Sequence, residues 1–79
     1  MTGNQIRAMR ALIDISISGL AYKSGLSHAT IQRAEAYGRS TVRLRPKTVK
    51  KIIDTFAAHN VAPLGEFGVT LTGVKTWSK

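Results

Sequence analysis

Residues 17–36 read ISGLAYKSGLSHATIQRAEA, and this stretch decides the fold of the 79-residue chain. Ala21 is small enough for two helices to approach each other closely, and Gly25, four residues later, suits a tight turn with a left-handed backbone. Ile31 lies six residues beyond the glycine and is the only large apolar residue of its segment, so we expect it to anchor a second helix in the core. These residue types at this spacing predict a helix-turn-helix, with an unrelated helical hairpin as the alternative.

Start and stop signals outline the remaining helices. Thr2 is a suitable N-cap for a first helix over residues 3–13, and Ser16 or Ser18 begins a short second helix that ends at Gly25. Ser27 caps a third helix that runs to about Ala36. A fourth helix begins near Pro46 and ends with Asn60 as C-cap, and its apolar stripe comprises Val49, Ile52, Ile53, Phe56 and Ala57.

The pattern changes after the fourth helix. Residues 61–74 contain two short apolar runs around Gly65 and Gly68, which predict a β-hairpin or an added edge strand. An isolated hairpin is barely stable in water, so we expect this extension to pack on the helices or to form a dimer interface. We therefore divide the chain into a helical domain over residues 1–60, the strand extension over residues 61–74, and a tail over residues 75–79.

The charge of the chain is strongly positive. Twelve Lys and Arg stand against four Asp and Glu, which gives a net charge of +8 and favours polyanionic partners. Six basic residues and no acidic one lie between Arg39 and Lys51. No segment approaches the roughly 18 apolar residues of a membrane-spanning helix, and no signal-peptide pattern opens the chain. We expect a cytoplasmic protein without a membrane partner.

The segments IRAMRALIDIS, GLAYKSGLSHATIQRAEA and RPKTVKKIIDTF resemble the lambda-repressor-like, or XRE, family of bacterial and phage DNA-binding domains, over about residues 5–59. The resemblance implies a mainly α fold, a helix-turn-helix bundle of four to five helices, here followed by the short strand or hairpin. It also implies a homodimer that binds double-stranded DNA, with residues 27–36 in the major groove.

The resemblance assigns base reading to four positions in the third helix, His28, Ala29, Gln32 and Arg33. Arg33 can bond guanine with two hydrogen bonds, Gln32 can read adenine, and the Ala29 methyl group can contact thymine. His28 can donate or accept at a base edge. Each of the four could instead be ordinary solvated surface.

Phosphate contacts are expected from groups that flank this helix. Hydroxyl groups precede or begin it, and a basic loop follows it; the candidates are Ser16, Ser27, Thr30, Arg39, Arg43, Arg45 and Lys47. In some relatives the loop sends an arginine to the minor groove, and Arg43 is the candidate here. A solvated face is the stronger interpretation for Lys50 and Lys51.

Three further positions bear on the resemblance. The family commonly has glutamine at the first position of the second helix, where this chain has Ile17. Gly19 should weaken that short helix by about 1 kcal/mol relative to alanine. Relatives often pair a glutamate at the position of Glu35 with an arginine of the first helix, and Arg10 is the expected partner.

The expected function is transcriptional repression of the chain's own operon, in a bacterial cytoplasm, by a nucleoid-associated or phage-encoded protein. One alternative is a DNA-binding antitoxin, or partner-binding module, of a two-gene phage or mobile-element operon, and another is non-specific nucleic-acid packaging. We expect no enzyme, because Ser27 and His28 are adjacent and point to different sides of a helix. We expect no metal or other cofactor, because His28 and His59 alone are too few ligands.

Overall fold

The computed structural model describes residues 1–72, which form four helices and one two-stranded antiparallel sheet. The elements are α1 (Gly3–Leu12), α2 (Ile17–Ser24), α3 (His28–Glu35), α4 (Pro46–Ala58), β1 (Val61–Leu64) and β2 (Gly68–Leu71). The chain is therefore mainly helical with a short C-terminal sheet, as expected. The last two residues of the predicted strand extension, 73–74, and the predicted tail, 75–79, lie outside the described residues.

One hydrophobic core joins these segments, with β2 packed against it only through the partly buried Val69. Every helix, the loop between α3 and α4, and β1 each bury at least one apolar side chain in it, and the buried set is Ile6, Met9, Leu20, Ala21, Ile31, Ala34, Val42, Ile52, Phe56 and Val61. Complete burial of a residue such as Phe56 contributes roughly 1.5–3 kcal/mol. Because Val42 is among them, the basic loop is fixed to the core at its middle.

The predicted helix starts are confirmed at atomic detail. Thr2 caps α1, Ser16 caps α2 and Ser27 caps α3, each by accepting a backbone N–H three residues later, and Pro46 occupies the first turn of α4. The predicted end of α4 was off by one residue: His59 is the C-cap, and Asn60 follows it in the left-handed region at φ 62°. Asparagine tolerates this conformation better than most residues do, so it turns the chain toward β1.

The apolar stripe of α4 is narrower than predicted. Ile52 and Phe56 are fully buried, Val49 and Ile53 are half-buried, and Ala57 is exposed. The difference arises because α4 packs mainly against α2 and β1, which cover only part of its surface.

The expectation that Gly19 only weakens α2 is incomplete. A Cβ atom on Gly19 would lie 2.8 Å from Cγ1 of Ile15 and 3.2 Å from the Ser16 hydroxyl. Glycine therefore lets Ile15 fold back over α2, where it packs against the core together with Ile17. This packing offsets the helix-propensity cost of the glycine.

The first turn of α1 contacts the end of α3 backbone to backbone. A Cβ atom on Gly3 would lie 2.5 Å from the carbonyl oxygen of Glu35 and 2.6 Å from the amide nitrogen of Gly38. Beside it, the N–H of Asn4 donates to the Gly38 carbonyl at 2.8 Å. Only glycine permits this approach, which sets the distance between the two helices.

The sheet is a hairpin that packs on α1 and α4. Its register pairs Val61 with Leu71 and Leu64 with Gly68, and the Thr72 N–H continues the ladder by donating to the Asn60 carbonyl at 2.6 Å. Val61 is buried and Val69 is partly buried against the core. Among the described helices, none is long and apolar enough to cross a membrane.

We predict that Gly3→Ala lowers the free energy of unfolding by about 1–3 kcal/mol, the usual range for overpacking, although alanine favours helix more than glycine does. The atoms that the new methyl group meets belong to the backbone and cannot move aside independently. Chemical denaturation measures the effect. Asn4→Ala at the neighbouring exposed position is the control and should change stability by less than about 0.5 kcal/mol. Equal stability of the two variants would contradict the close approach.

Candidate nucleic-acid interface

The turn between α2 and α3 orients the candidate reading helix. Gly25 ends α2 in the left-handed region, at φ 73° and ψ 22°, and the N–H of Leu26 donates to the Ala21 carbonyl at 3.0 Å. Leu26 is partly buried against the core, as predicted. With these contacts the chain leaves α2 and enters α3 within three residues, which fixes the angle between the helices.

Helix α3 divides into a buried side and an exposed side. Ile31, Ala34 and Glu35 are buried, whereas the four candidate base-reading residues, His28, Ala29, Gln32 and Arg33, are all exposed. At about 100° per residue, positions i, i+1, i+4 and i+5 of a helix spread over an arc of about 140°, so they can share its exposed side. The structure therefore brings these four side chains together on the solvent side of α3.

The three polar side chains on this face have no partner among the described residues. His28, Gln32 and Arg33 make no side-chain hydrogen bond, and Arg33 makes no salt bridge, with residues 1–72. A ligand that binds here therefore does not first have to break a bond within this part of the chain. The arrangement offers an imidazole, a carboxamide and a guanidinium group on one face.

The hydroxyl groups of Ser16, Ser27 and Thr30 serve the helix starts. Ser16 accepts the Gly19 N–H at 2.9 Å and Ser27 accepts the Thr30 N–H at 3.1 Å. The Ser27 and Thr30 hydroxyls also bond each other at 2.8 Å. Ser16 and Ser27 are exposed and Thr30 is half-buried. The hydroxyl hydrogen of Ser16 can therefore still donate to an anion, whereas the Ser27–Thr30 bond uses the hydrogen of one of those two hydroxyls and leaves the other available.

The loop after α3 presents basic side chains on a fixed backbone. Arg39, Arg43, Arg45 and Lys47 are all exposed, while Val42 between them is buried. The Tyr37 hydroxyl donates to the Arg43 carbonyl at 3.3 Å, and the Val42 N–H donates to the Met1 carbonyl at 2.9 Å. These two bonds hold the middle of the loop to Tyr37 and to the residue that begins the chain before α1.

This loop encloses an open concave surface of about 590 Å³, lined by Tyr37, Arg39, Ser40, Thr41 and Arg43. Sequence reasoning identified the two arginines and missed Tyr37, Ser40 and Thr41. These three residues are uncharged, so the pattern of basic residues did not mark them, although they lie in the same stretch of residues 37–43 as the two arginines. A single antiparallel bridge between Thr2 and Thr41 places this stretch beside the start of α1. Two guanidinium groups and several hydroxyls in one concavity favour an anionic ligand.

A buried carboxylate supports the interface from behind. Glu35 accepts from the Arg10 Nε and Nη2 atoms, and its Oε1 is 3.5 Å from Nε of Arg7. Nη1 of Arg10 also donates to the Ile15 carbonyl at 3.1 Å. The predicted pairing of Arg10 with Glu35 is confirmed, and it joins α1, α3 and the segment before α2.

The hydrogen bonds that Arg10 donates to the Glu35 carboxylate raise the pKa of Arg10 above the usual range of arginine, against the opposing effect of burial. A raised pKa means that the folded state favours the charged guanidinium. Its contribution to stability is therefore present at neutral pH and is lost only as the pH rises through that raised value.

The part of the chain that the structure describes contains no group of three or more His, Asp or Glu side chains that could hold a metal ion. In comparison with known proteins, the chain matches no protein-family model and no curated protein sequence. Its function is therefore inferred from geometry, charge and side-chain chemistry.

We predict that Glu35→Gln lowers the free energy of unfolding by about 3 kcal/mol, the lower end of the cost of breaking a buried ion pair. The side chain of Arg10 is 19% exposed and can recover part of its hydration. Chemical denaturation at neutral pH provides the measurement.

The matched control is Asp54→Asn, which removes the exposed pair of Asp54 with Lys50 on α4. That loss should be at most about 0.5 kcal/mol. If Glu35→Gln costs no more than Asp54→Asn, the pair does not hold α1 to α3.

Proposed function

We propose that this chain is a sequence-specific transcriptional regulator that binds double-stranded DNA as a homodimer. In this proposal its four helices form a lambda-repressor-like bundle, and α3 of each subunit enters the major groove of one half of a pseudo-palindromic operator. The protein represses its own operon in the cytoplasm of a bacterium, encoded by that bacterium or by a phage. The two grooves that it reads lie about 34 Å apart.

One observation carries the proposal: the exposed face of α3 holds four base-compatible side chains and is followed at once by the basic loop. Arg33 and Gln32 suit guanine and adenine in the major groove, where hydrogen-bond patterns distinguish all four base pairs. They lie on the last turns of a helix whose opposite side is anchored by Ile31. A rigid helix with a polar exposed face is the arrangement that base reading requires.

The basic loop supports a DNA ligand more than a protein ligand. Four exposed cations, Arg39, Arg43, Arg45 and Lys47, occur within nine residues, and none forms a salt bridge with a described residue. Exposed cations of this kind can contact phosphates on both sides of a groove, and Arg43 is the candidate for the minor groove. The net charge of +8 adds a long-range attraction to any polyanion.

Non-specific packaging is disfavoured by the same geometry. Charge alone would suffice for packaging, and no ordered reading face would be needed. A protein that only neutralises phosphates needs neither the fixation of α3 by Glu35 nor a polar face that is free of partners among residues 1–72. Comparison of the affinities for the chain's own upstream DNA and for a scrambled duplex separates specific from non-specific binding.

The hairpin supplies the proposed dimer surface, and its β2 edge is the one suited to pairing. The Thr72 N–H bonds to the Asn60 carbonyl, so residues 60 and 72 form a hydrogen-bonded pair of the ladder. In an antiparallel ladder such pairs alternate with pairs whose backbone N–H and C=O groups point away from the partner strand. The residues with outward backbone groups are therefore Val61, Pro63, Val69 and Leu71. Pro63 has no N–H to donate, which disfavours pairing along β1. No third strand lies beside β2 among residues 1–72, and Leu71 is 51% exposed there.

An antiparallel pair of β2 strands from two copies would form a four-stranded sheet around a twofold axis. This arrangement satisfies the outward N–H and C=O groups of Val69 and Leu71 in both copies. The same edge could instead accept a strand from a different protein, as in the antitoxin alternative. Measurement of the oligomeric state of the isolated chain distinguishes the two.

We predict that Arg33→Ala weakens binding to the specific operator by about 1–3 kcal/mol and relaxes the base preference at one position of each half-site. Binding to unrelated DNA should change much less, because the lost contact is to a base. The measurement is fluorescence anisotropy with the chain's own upstream DNA and with a scrambled duplex of equal length.

Arg43→Ala should instead weaken binding to both duplexes and reduce the slope of log affinity against log salt by about 1. Lys51→Ala on the exposed side of α4 removes the same charge and is the control, with little effect on either duplex. Unchanged operator preference in both Arg33→Ala and His28→Ala would refute α3 as the reading helix.

We predict that Leu71→Pro converts the dimer to a monomer, because it removes an outward N–H from the β2 edge and leaves the bonds to β1 in place. Sedimentation equilibrium at tens of micromolar measures the oligomeric state. Leu71→Ala trims the same side chain and keeps the N–H, so it should remain dimeric. A wild-type chain that is monomeric both alone and on DNA would contradict the proposal that a dimer binds two half-sites.

A further inference from the structure

A buried glutamine links the hairpin to the first turn of α1. Gln5 is 1% exposed, and its amide group makes three hydrogen bonds. Its Oε1 accepts the Thr2 N–H at 2.8 Å. Its Nε2 donates to the carbonyl oxygens of Gly65 at 2.9 Å and Gly68 at 2.8 Å. One side chain therefore holds both ends of the hairpin turn.

The identity of this residue follows from two separate demands. The capping box of α1 needs an acceptor at its third position to bond the Thr2 N–H, and either glutamine or glutamate meets that need. The two hairpin carbonyls need a donor of two hydrogens, which glutamine has and ionised glutamate lacks. A buried carboxylate against two carbonyl oxygens would be repelled. Gln5 therefore serves the hairpin in addition to the helix cap.

Little else fixes the turn end of the hairpin. Leu64 and Phe67 beside the turn are 61% and 69% exposed, so they bury little apolar surface there. The apolar contacts of the sheet come from Val61 and Val69, which lie farther along the strands. The amide of Gln5 is thus the main described contact that sets the tilt of the turn end.

A short path leads from this amide to the reading helix. The same first turn of α1 meets the end of α3 at Gly3, where only glycine fits, and the Asn4 N–H bonds the Gly38 carbonyl. The hairpin and α3 are therefore both attached to residues 2–5. A displacement of the turn relative to α1 would displace the β2 edge relative to α3.

We propose that Gln5 is a positioning residue that sets the separation between the two DNA half-sites which the dimer accepts. This inference rests on the proposed function, because it assumes pairing through β2 and reading by α3. The amide holds the β2 edge at one orientation to α3, so the two reading helices of a dimer stand at one separation. Without the amide the edge rocks about the buried end of the hairpin, and several separations become accessible.

The test is selection of DNA from a randomised library by the full chain and by two variants. Gln5→Met keeps the length of the side chain without donors, and Gln5→Glu keeps the acceptor for Thr2 and loses the donors. We expect the wild type to enrich two half-sites at a single separation. Both variants should enrich the same half-site sequence at separations that differ by one or more base pairs, with roughly tenfold weaker binding to the wild-type spacing.

Thr2→Ala is the matched control, because it removes the hydroxyl half of the same capping box and leaves both hairpin bonds. It should lower stability and keep the single separation. Hydrogen exchange of the backbone amides checks that each variant is folded, and it should show faster exchange in the hairpin of the Gln5 variants only. If Gln5→Met and Gln5→Glu do not fold, Gln5→Asn, which is one methylene shorter, takes their place.

The outcomes separate the two proposals. Folded Gln5 variants that retain the single wild-type separation overturn the positioning role and leave the proposed function intact. A wild-type chain that enriches no paired half-sites overturns the proposed function and this inference with it. A change in the enriched half-site sequence itself also overturns the positioning role, because Gln5 would then act through the shape of α3.

Discussion

The ion pair of Arg10 with Glu35 is the interaction on which the arrangement of the helices depends. A side chain as buried as Glu35 is stable only when its charge is matched and its oxygens accept hydrogen bonds. Arg10 satisfies both requirements and also donates to the Ile15 carbonyl, so one guanidinium group orients three segments of the chain. In a chain of this size the core is small, and polar links of this kind must supply positional accuracy that apolar packing alone does not.

Gln5 has a comparable role at the other end of α1. Gln5 is buried, its hydrogen bonds are satisfied, and it joins elements that lie 60 and 63 residues apart in the sequence. Apolar contacts among Ile6, Met9 and Phe56 hold the elements together but tolerate small rotations. Directional bonds from Arg10 and Gln5 remove that freedom, so α1 acts as the frame to which both α3 and the hairpin are attached.

Much of the fold was predictable because its signals are local. Caps such as Thr2 and Ser27, the Gly25 turn and the period of Ile52 and Phe56 act through neighbours within one or two helical turns, so they can be read from the order of residues. The hairpin was also predictable from its glycines. Two details of α4 differed from the prediction: its C-cap is His59, and Ala57 is exposed because no element among residues 1–72 covers its side of the helix.

The candidate site likewise has one part that could be predicted from the sequence and another that could not. The order of residues was sufficient to predict which side chains of α3 face solvent, since the alternation of buried Ile31 with exposed Gln32 and Arg33 follows from helical geometry. The run of basic residues that follows α3 could also be read from the order of residues. Contacts between distant segments could not be read in this way: Gln5 with the hairpin turn and Gly3 with the end of α3. Each depends on how close two backbones come in three dimensions, and that distance is set by the packing of the whole core and not by any local run of residues.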